Sequence, residues 1–271
     1  MNLEDEETPA IPDCASEQIV SKLRQAERVW LFLDYDGTLA DFAPTPDYVE
    51  PNLEVLELLD KLNRQKNIRL TVVSGRRLEH IRALLPLKGI LLAGTYGVEL
   101  LTASGGQFNR LDYATIRPTL EKIKPQWESL LSGRQGFFLE DKRWSLAIHA
   151  KDAPDAEAEQ VLSRALEVAE DASRRSIFRI LGGHKFLEIG PKLANKGKAV
   201  KYILEKEAWE DALYIYIGDD DKDEEAFGII QERGGLAMVV APESRISRAD
   251  CRLDSPRQVR QWLRDLPGYL K

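Results

Sequence analysis

Cysteine is scarce in this chain. Cys14 and Cys251 are the two among 271 residues, and no motif spacing links them, so neither a zinc site nor a disulfide scaffold is expected. Histidine is nearly as rare. His80, His149 and His184 are too few for a histidine-rich metal hydrolase. No apolar run approaches the roughly 18 residues of a transmembrane helix. The opening MNLEDEETPAIPD is acidic and lacks the basic and apolar regions of a signal peptide, so residues 1–15 are expected to be a mobile tail. There is no GxxxxGK and no GxGxxG, which leaves nucleotide binding without motif support. The net charge of −7 gives nucleic acid no electrostatic attraction. What remains is an ordinary globular composition, 43% hydrophobic and 31% charged, expected in the cytoplasm as a monomer with neither nucleic-acid nor membrane partners.

Against that background, LFLDYDGTLA (31–40) stands out. An apolar run ends in Asp34, skips a residue and continues with Asp36, Gly37 and Thr38. Residues i and i+2 of a strand project to the same side, about 7 Å apart. Two carboxylates therefore leave the tip of one buried strand together, and Gly37 permits a sharp turn after them. Like charges held that close repel. A hard divalent cation with oxygen ligands, Mg2+ first among them, would relieve the repulsion. Three further apolar runs end in reactive groups: Ser74, Gly75 and Arg76 after 68–73; Asp219, Asp220, Asp221 and Asp223 after 212–217; and Lys196, which opens a helical pattern beyond 185–190. Ligands of open parallel sheets bind outside the carboxyl ends of the strands, so one site could gather all four. Each run also has a plain alternative: a helix N-cap for Ser74, a surface lysine for Lys196, a solvated turn for the acidic runs.

The order of elements is β-α-β-α-β up to residue 94, then a hairpin-like segment over 94–108 with a Gly-Gly turn. A different, α+β pattern follows: a helix near 116–131, two strands over 137–151, a helix over 154–172, and a hairpin over 177–190. From about 195 the α/β pattern returns, with helices over 196–207, 222–233 and 256–265 and strands over 212–217 and 236–241. The fold class is therefore α/β: a parallel-sheet core (16–108 and 189–271) interrupted by an inserted α+β cap domain (109–188). Some 122 residues separate Ser74 from Lys196, far more than the roughly 30 of a βαβ unit, so this gap must hold the cap.

The chemistry that suits these groups is phosphoryl transfer. Asp34 would be the nucleophile, since carboxylates form covalent phosphoryl intermediates. Mg2+ would sit on Asp34, on the backbone carbonyl of Asp36 and on Asp219. Lys196, Ser74 and backbone N–H groups would hold phosphate oxygens. Asp36 would protonate the leaving oxygen and later activate water.

The order DxDGT, SGR, Lys before a helix and GDDxxD resembles the haloacid dehalogenase (HAD) superfamily, in its phosphatase and phosphomutase branches. An insert after the Ser motif resembles the members with a type-2, α+β (C2B) cap. More narrowly, DYDGTLADFAPTPD (34–47), SGR (74–76), YGVEL (96–100), EDKRWSLAIHAK (140–151), LEIGP (187–191), NKGKAV (195–200) and GDDDKDEEAF (218–227) are similar to trehalose-6-phosphate phosphatases. That resemblance implies a HAD-like Rossmannoid core and Mg2+-dependent hydrolysis of a sugar phosphate through an aspartyl-phosphate. It implies Asp34, Asp36, Ser74 and Lys196 as catalytic residues. Gly75, Arg76, Glu140, Lys142, His149, Lys151 and Glu188 would bind substrate, and Asp34, Asp36, Asp219, Asp220 and Asp223 would bind metal. In a hairpin Glu140 and Lys142 share a face, and paired acceptors and donors suit a ring of hydroxyls. The chain departs from the family pattern at Ala150 and Lys151, where Tyr-Arg is usual, and at Tyr96, Gly190 and Lys222. These departures leave other substrates open: sucrose-phosphate, mannosyl-3-phosphoglycerate, a hexose phosphate, or a phosphomannomutase reaction. A non-enzymatic phospho-receiver regulator is the alternative from another class.

Overall fold

The computed structural model describes residues 11–42, 50–173 and 177–271. The chain divides into two units, Met1–Phe108 with Asn195–Lys271, and Asn109–Ala194.

The first unit is built on an eight-stranded sheet. Its elements before the insert are α1 (Glu17–Gln25), β1 (Arg28–Leu33), α2 (Leu53–Asn63), β2 (Ile68–Val73), α3 (Leu78–Leu84), β3 (Leu91–Gly94), β4 (Glu99–Leu101) and β5 (Gln107–Asn109). The insert contributes α4 (Tyr113–Leu131), β6 (Phe138–Asp141), β7 (Leu146–His149), α5 (Asp155–Ala172), β8 (Phe178–Gly183) and β9 (Phe186–Pro191). The first unit then resumes with α6 (Lys196–Lys206), β10 (Ala212–Gly218), α7 (Glu224–Glu232), β11 (Leu236–Val240), β12 (Cys251–Leu253) and α8 (Pro256–Asp265).

The strand order is β12-β11-β10-β1-β2-β3-β4-β5, parallel from β12 to β3, with β4 antiparallel to β3. β1 is central because both its faces are apolar. Val29, Leu31 and Leu33 pack into one core with α1, α2, α3 and α8, while Trp30 and Phe32 pack into the other with α6 and α7. A strand buried on both faces reads as a continuous apolar run rather than an alternating one, which is what 29–33 shows. The chain leaves β1 for β2 on one side and reaches β10 on the other, so the direction of winding reverses at β1. That switch point is where an open α/β sheet presents a crevice beyond its strand ends.

The second unit is a four-stranded antiparallel sheet of order β6-β7-β9-β8, with α4 and α5 packed on it. β9 runs to Pro191, so a domain boundary at 188/189 would cut through this strand. The Gly-Pro step of LEIGP reads as a strand end in the sequence, but Pro191 still pairs with Phe178 at the sheet's edge.

Two expectations fail. Cys14 and Cys251 form a disulfide across 237 residues. Motif spacing reports local pairing only; here the fold brings distant positions together. Nor is the tail mobile throughout: within 11–15, the N–H of Arg252 donates to the Pro12 carbonyl at 2.9 Å, Asp13 bridges Arg252, and Cys14 is buried. The edge strand β12 receives this segment, and at three residues it is too short to show any periodicity. Residues 43–47 of the DYDGTLADFAPTPD segment lie outside the described residues. Among the described residues no helix is long and apolar enough to cross a membrane.

Candidate active site

In the first unit, β1, β2 and β10 end side by side. The Asp34 N–H donates to the Ile217 carbonyl at 2.9 Å, which extends the β1–β10 ladder by one residue and fixes where the carboxylate emerges. The chain then turns sharply, with the Gly37 N–H on the Ala40 carbonyl at 2.8 Å. Gly37 has φ 77°, and a Cβ there would run into the Asp219 carboxylate, so only glycine serves. Thr38 Oγ1 donates to Asp219 Oδ1 at 3.2 Å, joining the turn after β1 to the turn after β10.

Lys196 begins α6. Its helix is capped by Asn195, whose side chain accepts from the Lys198 N–H at 2.8 Å. The buried Lys196 ammonium lies 3.0 Å from Asp34 Oδ1 and 2.7 Å from Asp223 Oδ1. Burial disfavours a charged lysine, but Asp223 and Asp34 outweigh it and hold the ammonium well above its ordinary pKa. Asp223 is fully buried and well bonded: Oδ1 also accepts the Tyr216 hydroxyl at 2.6 Å, and Oδ2 accepts the Asp220 N–H at 3.0 Å. Asp34, Asp219 and Asp223 each bring a carboxylate oxygen to within 4.8 Å of the others. Burial, and then mutual repulsion, pushes Asp34 well above the usual carboxylate range despite Lys196. The same causes lift Asp219 to about 6.

The remaining predicted residues take other positions. Ser74 is buried at the end of β2, its N–H on the Ala93 carbonyl at 2.9 Å and its Oγ accepting the Arg76 N–H at 3.1 Å. The side chain of Asp36 stands apart from the acidic group. It takes a two-point contact from Arg76, Nε to Oδ2 at 2.7 Å and Nη2 to Oδ1 at 2.8 Å. Asp220 also stays outside, capping the short turn Asp221–Asp223 through the Lys222 N–H at 3.3 Å. Gly75 is required by packing, because a Cβ would meet the Tyr96 ring at 2.7 Å. Lys222 in turn lies 5.5 Å from the centre of that ring, so two of the departures from the family pattern touch one another.

In the second unit, cross-strand register sets Phe138, His149 and Phe186 in one row and Glu140, Ala147 and Glu188 in the next, all on one sheet face. Lys142 Nζ lies 3.1 Å from Glu188 Oε2 and 3.5 Å from Glu140 Oε2. His149 Nε2 lies 2.9 Å from Glu140 Oε2. Burial would raise the Glu140 pKa, but the His149 and Lys142 contacts outweigh it and hold it below its ordinary value. Four of the five residues predicted in this unit thus form one cluster, and the exposed Lys151 lies in the turn beyond β7.

Sequence reasoning missed Tyr216, whose hydroxyl steadies Asp223, and Arg245, whose Nη1 donates to the Asp219 carbonyl at 2.8 Å. Tyr216 reads as one more apolar strand residue, and Arg245 lies in a segment without periodicity. No signal in the chain marks either one.

Residues 32–257 match the family model described as trehalose-phosphatase. Trehalose-phosphate phosphatase B of Arabidopsis thaliana is 28% identical over 89% of this chain and 67% of its own length. Trehalose-phosphate phosphatase of Mycobacterium ulcerans (strain Agy99) is 29% identical over 89% of this chain and 62% of its own length. The chain thus spans about two thirds of the length of these relatives. Among solved structures, the C-terminal domain of C. albicans trehalose-6-phosphate phosphatase superposes with a TM-score of 0.82 at 22% identity, covering 96% of this chain and 99% of that one.

Proposed function

The chain belongs to the trehalose-phosphatase family, and from that premise we propose that it hydrolyses trehalose 6-phosphate to trehalose and phosphate with Asp34 as nucleophile. The observation that carries this reading is the pairing at the end of β1. A buried carboxylate, Asp34, lies 3.0 Å from a buried ammonium, Lys196, and shares its surroundings with Asp219. Nothing in a merely structural ion pair calls for the extra carboxylate.

Asp34 Oδ attacks phosphorus, the bond from phosphorus to the sugar oxygen breaks, and Asp34 becomes an aspartyl-phosphate. Asp36 gives the departing oxygen a proton and later takes one from the water that cleaves the acyl-phosphate. For this, Arg76 must release Asp36. A phosphate dianion offers the same guanidinium fork a competing two-point partner, so substrate arrival itself would free the acid. Lys196 compensates charge on the transferring group, and Asp223 with Tyr216 keeps its ammonium aimed at Asp34. Ser74, at the end of β2, supplies a hydroxyl to a phosphate oxygen.

Asp34 and Asp219 offer hard oxygen donors whose pKa values are raised by burial and then by mutual repulsion, a repulsion that a Mg2+ ion would relieve. Asp223 is a poorer ligand, since Lys196, Tyr216 and the Asp220 N–H already occupy its oxygens. When bound, Mg2+ would neutralise charge on the phosphate and on these carboxylates. Glu140, Lys142, His149 and Glu188 supply the acceptors and donors that a disaccharide's hydroxyls require.

The test is a panel of sugar phosphates with Mg2+, reading released inorganic phosphate. Trehalose 6-phosphate is expected to give the highest kcat/KM. A higher value for sucrose-phosphate, mannosyl-3-phosphoglycerate or a hexose phosphate would overturn the substrate assignment.

A further inference from the structure

We propose that Arg117 is a positioning residue for sugar recognition: from helix α4 it clamps the β6–β7 turn and thereby sets the geometry of Glu140, Lys142 and Glu188. This rests on the reading that those three residues grip the sugar.

The turn is held from behind. Arg117 Nη1 donates to Asp141 Oδ1 at 2.6 Å and Nη2 to Asp141 Oδ2 at 2.7 Å, a parallel two-point pair. Nη1 also donates to the Arg143 carbonyl at 3.2 Å, and Nε is paired with Glu121 one helical turn along α4. Lys124 Nζ adds a further contact to Asp141 Oδ2 at 3.0 Å. Asp141 Oδ1 in turn accepts the Arg143 N–H at 3.0 Å, and the Lys142 N–H closes the turn on the Ser145 carbonyl at 3.0 Å. Arg143 sits at φ 67°, a backbone region that non-glycine residues avoid, so this turn needs external bonds to keep its shape.

Position along the chain gives the clamp its consequence. Asp141 lies between Glu140 and Lys142, and neighbouring strand residues face opposite sides of the sheet. Fixing Asp141 against α4 therefore fixes the direction in which Glu140 projects from the other face. It also fixes where the Lys142 backbone begins. Lys142 Nζ reaches both Glu188, at 3.1 Å, and Glu140, at 3.5 Å, so a slack turn would release the donor that links the two acceptors. Arg117 performs this with a planar fork that lysine cannot reproduce. The strongly depressed pKa of Asp141, caused first by Arg117, accords with a tight contact.

The test compares the full chain with Arg117→Ala, Arg117→Lys and Glu140→Ala, each with Mg2+, on trehalose 6-phosphate and on p-nitrophenyl phosphate, which has no sugar. Arg117→Ala is expected to raise KM for trehalose 6-phosphate about 10-fold with kcat within about 2-fold, and to leave p-nitrophenyl phosphate turnover within about 2-fold. Arg117→Lys should recover less than half of the loss. Should Arg117→Ala not fold, Asp141→Asn carries the same expectation at smaller size. An unchanged KM, or an equal loss on both substrates, overturns the proposal. If Glu140→Ala shifts the preference between substrates and Arg117→Ala does not, the clamp alone falls. If neither shifts it, the sugar-cluster reading falls and takes the clamp with it.

Discussion

At the residue scale the site is a problem in placing charge. Asp34→Asn keeps the shape of the side chain and removes the nucleophile. It should abolish turnover on every phosphate ester while far-UV circular dichroism stays unchanged; residual activity of even a few per cent would refute the nucleophile assignment. Tyr216→Phe removes one of the hydrogen bonds to a fully buried carboxylate. Bonds to charged groups contribute roughly 1.5 to 3 kcal/mol, so denaturant unfolding should show a loss of about 2 kcal/mol. Because Lys196 is held by the same oxygen, kcat should fall as well. Asp219, raised to about 6, must lose its proton before it can serve a cation. Mg2+ affinity, measured by calorimetry, should therefore fall below about pH 6, by up to about tenfold per pH unit for one proton. The stability sign follows from the same groups. Asp34 and Asp219 hold protons that the unfolded chain has already released, so without Mg2+ the fold should lose stability as pH rises from about 4 through about 6. A melting temperature that stays flat across that range would count against both assignments.

At the element scale, short segments set the aim of these residues. Asn195 caps α6 one residue before Lys196, so Asn195→Ala should cost about 1 kcal/mol of stability and lower kcat through a displaced ammonium, checked by unfolding and kinetics together. Gly218 is a comparable constraint, because a Cβ there would strike the Asp223 carboxylate. Helix α4 carries Pro118 and Pro125 in its interior yet runs 19 residues. Each proline costs a helix about 3 kcal/mol, and the burial of Ile116, Leu120, Ile123 and Trp127 offsets much of that. Periodicity placed this helix at about the right residues because the apolar spacing survived both prolines. Periodicity failed at β12, where three residues pair with β11 and no pattern can form.

At the scale of the whole molecule, the disulfide joins residue 14 to residue 251 and so ties the segment before α1 to the far edge of the large sheet. A loop of 237 residues is long, and the chain-entropy treatment of cross-links puts its contribution near 5 kcal/mol. Cys14→Ser, or reduction by dithiothreitol, should therefore lower the melting temperature in a scanning experiment; an unchanged melting temperature would mean the packing around β12 holds the segment without the bond.

The chain by itself determined what strong local patterns can carry. Apolar runs marked β1, β2 and β10 because strands buried on both faces over most of their length are predominantly apolar. The residues at their ends, Asp34, Ser74 and Asp219, were legible because chemistry at a strand terminus needs particular side chains at fixed offsets. The tertiary structure alone decided which carboxylates share a space, that Asp36 turns to Arg76 while Asp223 holds Lys196, that Arg117 grips the turn between Glu140 and Lys142, and that Cys14 meets Cys251. Each of these is a contact between residues far apart in sequence, and only the packed sheet brings such residues within bonding distance.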